Sequence, residues 1–152
     1  MEVGSRAGFP AGNLSNFTPH AFVFEGVECA SMEGLLQAFK FEIPEEQVEV
    51  CKLAGFKAKR RGQERNEAWK TTQTLWWRGQ TFERHSEGYQ LLFNRAFDAL
   101  ADNEVFQHAL LASGDEVLTH TIGNPVQSDT VLTEEEFCCR LTAIRSRLKQ
   151  GT

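Results

Sequence analysis

The chain has 152 residues, of which 41% are hydrophobic, 11% aromatic and 24% charged. That length holds one domain and excludes two catalytic ones; the apolar share excludes a disordered chain, and no apolar run approaches the roughly 18 residues that span a bilayer. The net charge of −5 excludes a generally basic nucleic-acid coat protein, and residues 98–152 carry all of it, with nine acids against four bases, so the first 97 residues are neutral around a basic cluster.

Residues 1–13 hold Gly4, Pro10 and Gly12, show no periodicity and lack the apolar segment of a secretory signal. They are expected as a flexible N-terminal arm, with the cytosol as the default compartment. Residues 20–29, HAFVFEGVEC, predict a short hairpin turning at Glu25-Gly26. Met32, Leu35, Leu36 and Phe39 then fall at i, i+3, i+4 and i+7, the stripe of an amphipathic helix with Ser31 as its N-cap. Glu33, Gln37 and Lys40 share a second face of that helix. Pro44 opens another helix, with Glu45 and Glu46 in its first turn, Val48, Cys51 and Ala54 as its expected apolar set, and Gly55 as its stop.

Residues 57–65 form a basic run of Lys57, Lys59, Arg60, Arg61 and Arg65 against one acid, Glu64, and predict an exposed loop. Trp69, Trp76 and Trp77 follow within nine residues. Tyr89, Leu92, Phe93, Ala96, Phe97 and Leu100 trace the clearest long helix, and Asp102 or Asn103 caps the next one, which buries Phe106, Ala109 and Leu110. Ser113-Gly114-Asp115 predicts a turn and residues 116–121 a short strand. Thr133 and Glu136 have the spacing of a capping box, ahead of a stripe of Phe137, Leu141, Ile144 and Leu148. Arg145, Arg147 and Lys149 sit in the last turns, where cations suit the helix dipole. The sum is an α+β fold, a predominantly helical single domain with a small β-hairpin or sheet.

Three groupings bear on chemistry. Glu33, Gln37 and Lys40 form either a solvated helix face or a pocket wall on which a carboxylate, an amide and a cation converge. The 57–65 run is either solvated or a phosphate contact. Of Trp76 and Trp77, followed by Arg78, one belongs in the core and the other is free to stack on a base. The four histidines lack metal-ligand spacing, no C-x-x-C pair occurs, and the cysteines are read as reduced core thiols. G-x-G-x-x-G, P-loop and G-x-S-x-G patterns are absent. Neither a metal nor a cofactor is expected.

Residues 14–41, LSNFTPHAFVFEGVECASMEGLLQAFKF, resemble the opening signature of the NADAR superfamily, which includes riboflavin-intermediate N-glycosidases. The match lies in Ser15, Asn16 and Phe17, then Glu33, Gln37 and Ala38, then Lys40 and Phe41. It continues more weakly through the Trp region, the LLASG at the end of the 89–113 helices and the final TAIRSRL. A NADAR-like domain is thereby placed at 14–150. The resemblance implies cleavage of an N-glycosidic bond at a ribose. The substrate is an ADP-ribose-like or other nucleotide small molecule, either a riboflavin-pathway intermediate or ADP-ribose on guanine in nucleic acid, with no membrane partner. Glu33 takes the place of the family's catalytic carboxylate. Asn16, Phe17, Gln37 and Lys40 are implied on the substrate, Trp77 or Trp76 on the base with Arg78 beside them, and Lys57, Lys59, Arg60 and Arg61 on a pyrophosphate or nucleic-acid backbone. The sequence departs from the family at Gly34, where His is frequent, and at 122–132, where Asn124 or Asp129 stands for a later acidic residue. Those departures frame an alternative, a catalytically inactive module that sequesters an ADP-ribose-like nucleotide, and beyond it a protein-interaction domain that keeps only the fold.

Overall fold

A computed structural model describes residues 1–151. Its two sheets are hairpins, β1 (Phe22–Phe24) with β2 (Val27–Cys29) and β3 (Thr74–Trp77) with β4 (Gln80–Glu83), each antiparallel. Both turn on a positive-φ pair, Glu25-Gly26 and Arg78-Gly79, the backbone that two-residue hairpins favour because its twist matches the strands. Alternation along β1 buries Phe22 and Phe24 and leaves Val23 out; along β3 it buries Leu75 and Trp77.

The helices are α1 (Met32–Ala38), α2 (Pro44–Cys51), α3 (Gly55–Gln63), α4 (Asn66–Thr72), α5 (Glu87–Leu100), α6 (Glu104–Ala112) and α7 (Glu134–Gln150). Their starts follow the capping chemistry: Ser31, Ser86, Asn103 and Thr133 each accept a hydrogen bond from a first-turn amide, and Thr133 with Glu136 closes a full capping box. The architecture is α+β, predominantly helical, in a single domain.

The core is aromatic around the end of α1. Phe39 meets Trp77 and Tyr89 edge-on, and Phe24 stacks on Trp77 with ring centroids 5.4 Å apart. Gln47 of α2 pins this region. Its amide hydrogens reach Phe41 O and Trp76 O, each at 2.8 Å, and Ala38 O at 3.2 Å, while its Oε1 accepts from Arg78 N at 3.0 Å. A buried amide so fully used fixes the second hairpin against α1. A second polar knot ties α7 to the β4–α5 corner: fully buried Arg84 makes a two-pronged pair with Glu136, at 2.6 and 3.1 Å, and donates to Thr130 O at 2.7 Å.

Six expectations are corrected. The 57–65 run is not a loop: most of it is α3, whose seam against α1 is made by Ala58 and Gly62, residues too small to give a hydrophobic stripe. In α2 Val50 is buried beside the expected Cys51, while Val48 is exposed and Ala54 lies beyond the helix. Residues 116–121 form no strand; they make a single parallel bridge, Glu2 with Thr119. That bridge also removes the arm. Val3 is 0% exposed and its amide donates to Thr119 O at 2.8 Å, and the Glu2 carboxylate accepts from Thr119 Oγ1 and from the Thr121 amide and hydroxyl. Residues 1–3 are built into the fold by partners more than 100 positions away, which no local pattern announces. The cysteines are free, but only Cys29 and Cys51 are core residues; Cys139 is exposed. Arg145 is buried and spans to Ser113 Oγ and Glu116 O, both at 2.8 Å, so it serves a turn rather than a dipole. Among the described residues no helix is long and apolar enough to cross a membrane.

Candidate active site

A cavity of about 710 Å³ opens between α1, α3 and α4 on one side and the segments 2–7 and 120–133 on the other. Its size falls in the range of roughly 300–1,000 Å³ typical of small-molecule sites. Glu33, Gln37 and Lys40 all line it, so the second face of α1 is a pocket wall and not a solvated surface.

Close packing sets that wall. A Cβ at Gly34 would lie 2.5 Å from Leu53 O, so the residue after Glu33 has no room for a side chain. Here is the physical reason for Gly34 at a place where the NADAR pattern often has His. A Cβ at Gly62 of α3 would lie 1.7 Å from Gln37 Oε1, so α3 approaches α1 close enough to hold the Gln37 amide in place. Gln37 Nε2 donates to Glu33 Oε1 at 2.8 Å, and the Glu33 amide donates to Asn16 O at 3.1 Å. The Gln37 Oε1 is buried with no partner. Glu33 has some open surface toward the cavity, yet protein crowds it elsewhere. Burial pushes its carboxyl above the usual carboxylate range, opposed by the Gln37 hydrogen bond and by the charges of Lys40, Lys59 and His120.

Lys40 is 6% exposed and donates to Asn66 Oδ1 at 2.6 Å. Burial lowers its pKa to about 8, against the pull of Glu33's charge and with help from Lys70 and Lys59. Asn66 Oδ1 also receives Trp69 Nε1 at 3.4 Å. Asn66 and Trp69 both line the cavity, and neither was picked out as a site residue from the sequence. Trp69 is 0% exposed, so it forms a wall rather than an open stacking face. The accessible aromatic surface belongs to Phe17 and Phe56, edge to face at 5.0 Å, with Phe56 62% exposed.

The other expected residues divide. Asn16, Phe17, Lys59, Asn124 and Asp129 line the cavity. Asn124 Oδ1 accepts from Val126 N at 2.9 Å within its own turn, whereas the Asp129 carboxylate has no protein partner among the described residues. Trp77, Trp76 and Arg78 lie elsewhere. Trp77 is a core residue whose Nε1 donates to Glu25 Oε1 at 2.9 Å, Trp76 is half-buried on β3, and Arg78 sits in the hairpin turn and binds Glu25 O. Strand alternation put Trp77 into the core, and the tryptophan of the cavity is the one on α4. Lys57, Arg60 and Arg61 do not line the cavity: Lys57 and Arg60 are exposed, and Arg61 pairs with Glu64 at 2.7 Å over the ring of Phe41. His120, also missed, lines the wall opposite α1. Among the described residues no group of three His, Cys, Asp or Glu side chains is placed to hold a metal ion.

This helical α+β architecture is a fold shared with a solved NADAR-family structure. The NMR structure of the E. coli protein YbiA, a NADAR-family protein, matches with a TM-score of 0.64 over 97% of this chain and 83% of that one, at 18% identity. More particularly, the chain belongs to the Bacteriophage protein GP30.3 family, which it matches over residues 8–146. The 17.1 kDa protein of the Gp30-rIII intergenic region of Enterobacteria phage T4 is 35% identical to it over 150 residues, covering 97% of this chain and 98% of the relative.

Proposed function

We propose that the protein is an N-glycosidase that hydrolyses the bond between a ribose and a nitrogenous base in an ADP-ribose-type or other nucleotide substrate. The carrying observation is Glu33, a carboxylate pushed up by burial on the wall of a nucleotide-sized cavity, with one oxygen held by Gln37.

A ribosyl C–N bond breaks through a state with positive charge on the anomeric carbon. A carboxylate in a low-dielectric wall stabilises that charge far better than one in water. Because Gln37 engages Oε1, the second Glu33 oxygen is left to face the sugar or to orient the attacking water. Lys40, with a pKa of about 8, is mostly charged at neutral pH and is aimed by Asn66; with Lys59 it offers cations to ribose or phosphate oxygens. Phe17 and Phe56 supply the aromatic surface for a base. The family resemblance narrows the substrates to riboflavin-pathway intermediates or ADP-ribose joined to guanine, free or in nucleic acid.

The test is mass spectrometry of reactions with guanine-linked ADP-ribose and with the riboflavin intermediates. Wild type is expected to release base, and Glu33→Gln, still folded, to release none. Full activity in that variant overturns the role of Glu33. A melting temperature raised by ADP-ribose, with no base released by wild type, replaces hydrolysis with the sequestering module.

A further inference from the structure

We infer that His120 is a second catalytic residue of this cavity, the general acid whose Nε2 proton goes to the departing base; the inference rests on the N-glycosidase reading above. Three observations carry it. First, His120 Nδ1 lies 2.7 Å from Val3 O. A carbonyl can only accept, so Nδ1 carries hydrogen in either charge state and every proton exchanged with a ligand must pass through Nε2. Second, Nε2 has no protein partner among the described residues, and the ring lines the cavity on the wall opposite α1. Third, the ring is aimed. Phe137 meets it edge to face at 5.3 Å, and a Cβ on Gly123 would stand 2.7 Å from Cδ2 and 3.4 Å from Nε2. Gly123 therefore packs against the Cδ2 side of the ring, where a side chain would collide with it. The imidazole is thus held by one nitrogen, packed against Phe137 and without a protein partner at the other nitrogen, in a cavity that Glu33 also lines.

Charged groups of both signs surround it, with Asp129 among the acids that line the cavity. Glu2 acts on it from the N-terminal segment and Glu33 from α1, while α7 presents the apolar Phe137. The cations Arg6, Lys40 and Lys59 line the same cavity. In the step, the C1′–N bond breaks and its electron pair goes to the base nitrogen, which takes the Nε2 proton of the imidazolium. Water adds to C1′ and gives a proton to the Glu33 carboxylate. That proton returns through solvent to His120, so one water is consumed and both side chains are restored.

His120→Asn is the sharpest variant, because an Asn amide can still donate to Val3 O but has nothing at the Nε2 position. His120→Gln, which extends an amide toward that position, is the second, and the melting temperature of each is recorded. Two substrates are compared, guanine-linked ADP-ribose and the same conjugate methylated at guanine N7, whose cationic base departs without needing a proton. The expected result is a kcat lowered by about 10²–10⁴-fold on the first substrate, the usual worth of a positioned acid, with KM little changed. On the methylated substrate the loss stays below about ten-fold, since no proton transfer is required there. Equal losses on both substrates, or none on either, overturn the acid role and leave the glycosidase reading standing. Wild type inert on both conjugates and on the riboflavin intermediates overturns that reading and this inference together.

Discussion

Two buried glutamates in this molecule are held in opposite ways. Glu136 is wrapped in donors. Arg84 grips both oxygens, the Thr133 amide donates at 2.8 Å and Gln90 at 2.5 Å. Burial would raise its pKa, but those donors outweigh it and hold the carboxyl at about 2. Glu33 has one side-chain donor, and burial prevails, so its pKa rises. The same side chain is a finished structural joint in one place and an unfinished site in the other. Saturation of its oxygens, rather than depth alone, separates the two.

The largest expected effect breaks the finished joint. Glu136→Gln leaves Arg84 buried with no countercharge and is expected to destabilise by about 3–5 kcal/mol, read by urea unfolding. The wild-type pair is also sensitive to acid. Glu136 is depressed in the folded state, so its contribution is complete above the ordinary carboxylate value near 4.5 and is lost as pH falls toward 2, a change of about 3 kcal/mol. Stability of the Glu136→Gln variant should show correspondingly less dependence on pH across that window.

Next comes the contact that supports the unfinished site. Gly62→Ala drives a methyl group into Gln37 and is expected to destabilise by about 1–3 kcal/mol. Because Gln37 holds Glu33, turnover should fall further than stability does. The two glutamates are also separated by the sign of their pH dependence. With Glu33 raised in the fold, its ionisation opposes folding once pH climbs above about 4.5. Glu33→Gln should therefore melt higher than wild type at pH 7, with the difference closing below pH 4.5. A variant that melts lower at pH 7 would mean that Glu33 is itself a structural joint. The smallest effect concerns the tryptophans. Trp69→Phe removes the weak donor to Asn66 and should reduce kcat/KM by about 2–10-fold, in line with one net hydrogen bond. Trp77→Phe should lower stability and leave kcat/KM unchanged.

Much of the fold was legible because it is written in local patterns. The stripe of α1, the Glu25-Gly26 hairpin and the Thr133–Glu136 capping box each depend on residues within a few positions of one another. The Glu33, Gln37 and Lys40 face was legible as a face, but its status as a wall depends on α3 and on the segments 2–7 and 120–133. Alanine and glycine make the α3 seam, so its charges dominate the reading and conceal a helix. Trp69, Asn66 and His120 escaped for a related reason. Asn66 and His120 enter the site through partners distant in sequence, Lys40 at 26 residues and Val3 at 117, and Trp69 comes with Asn66, to which it donates from three residues on.

The pairing of Val3 with Thr119 has a consequence for how the protein comes into being. During synthesis Val3 leaves the ribosome ahead of its partner and must wait for more than a hundred further residues before Thr119 exists. Contacts of such long separation are slow to close, because the entropy of the intervening loop is lost before the contact forms. α1, with its local stripe and caps, can take shape early, whereas the wall that faces it is completed only after residues 119–133 have arrived. A ribosome-bound nascent chain that lacks those residues would carry Glu33 without a cavity around it.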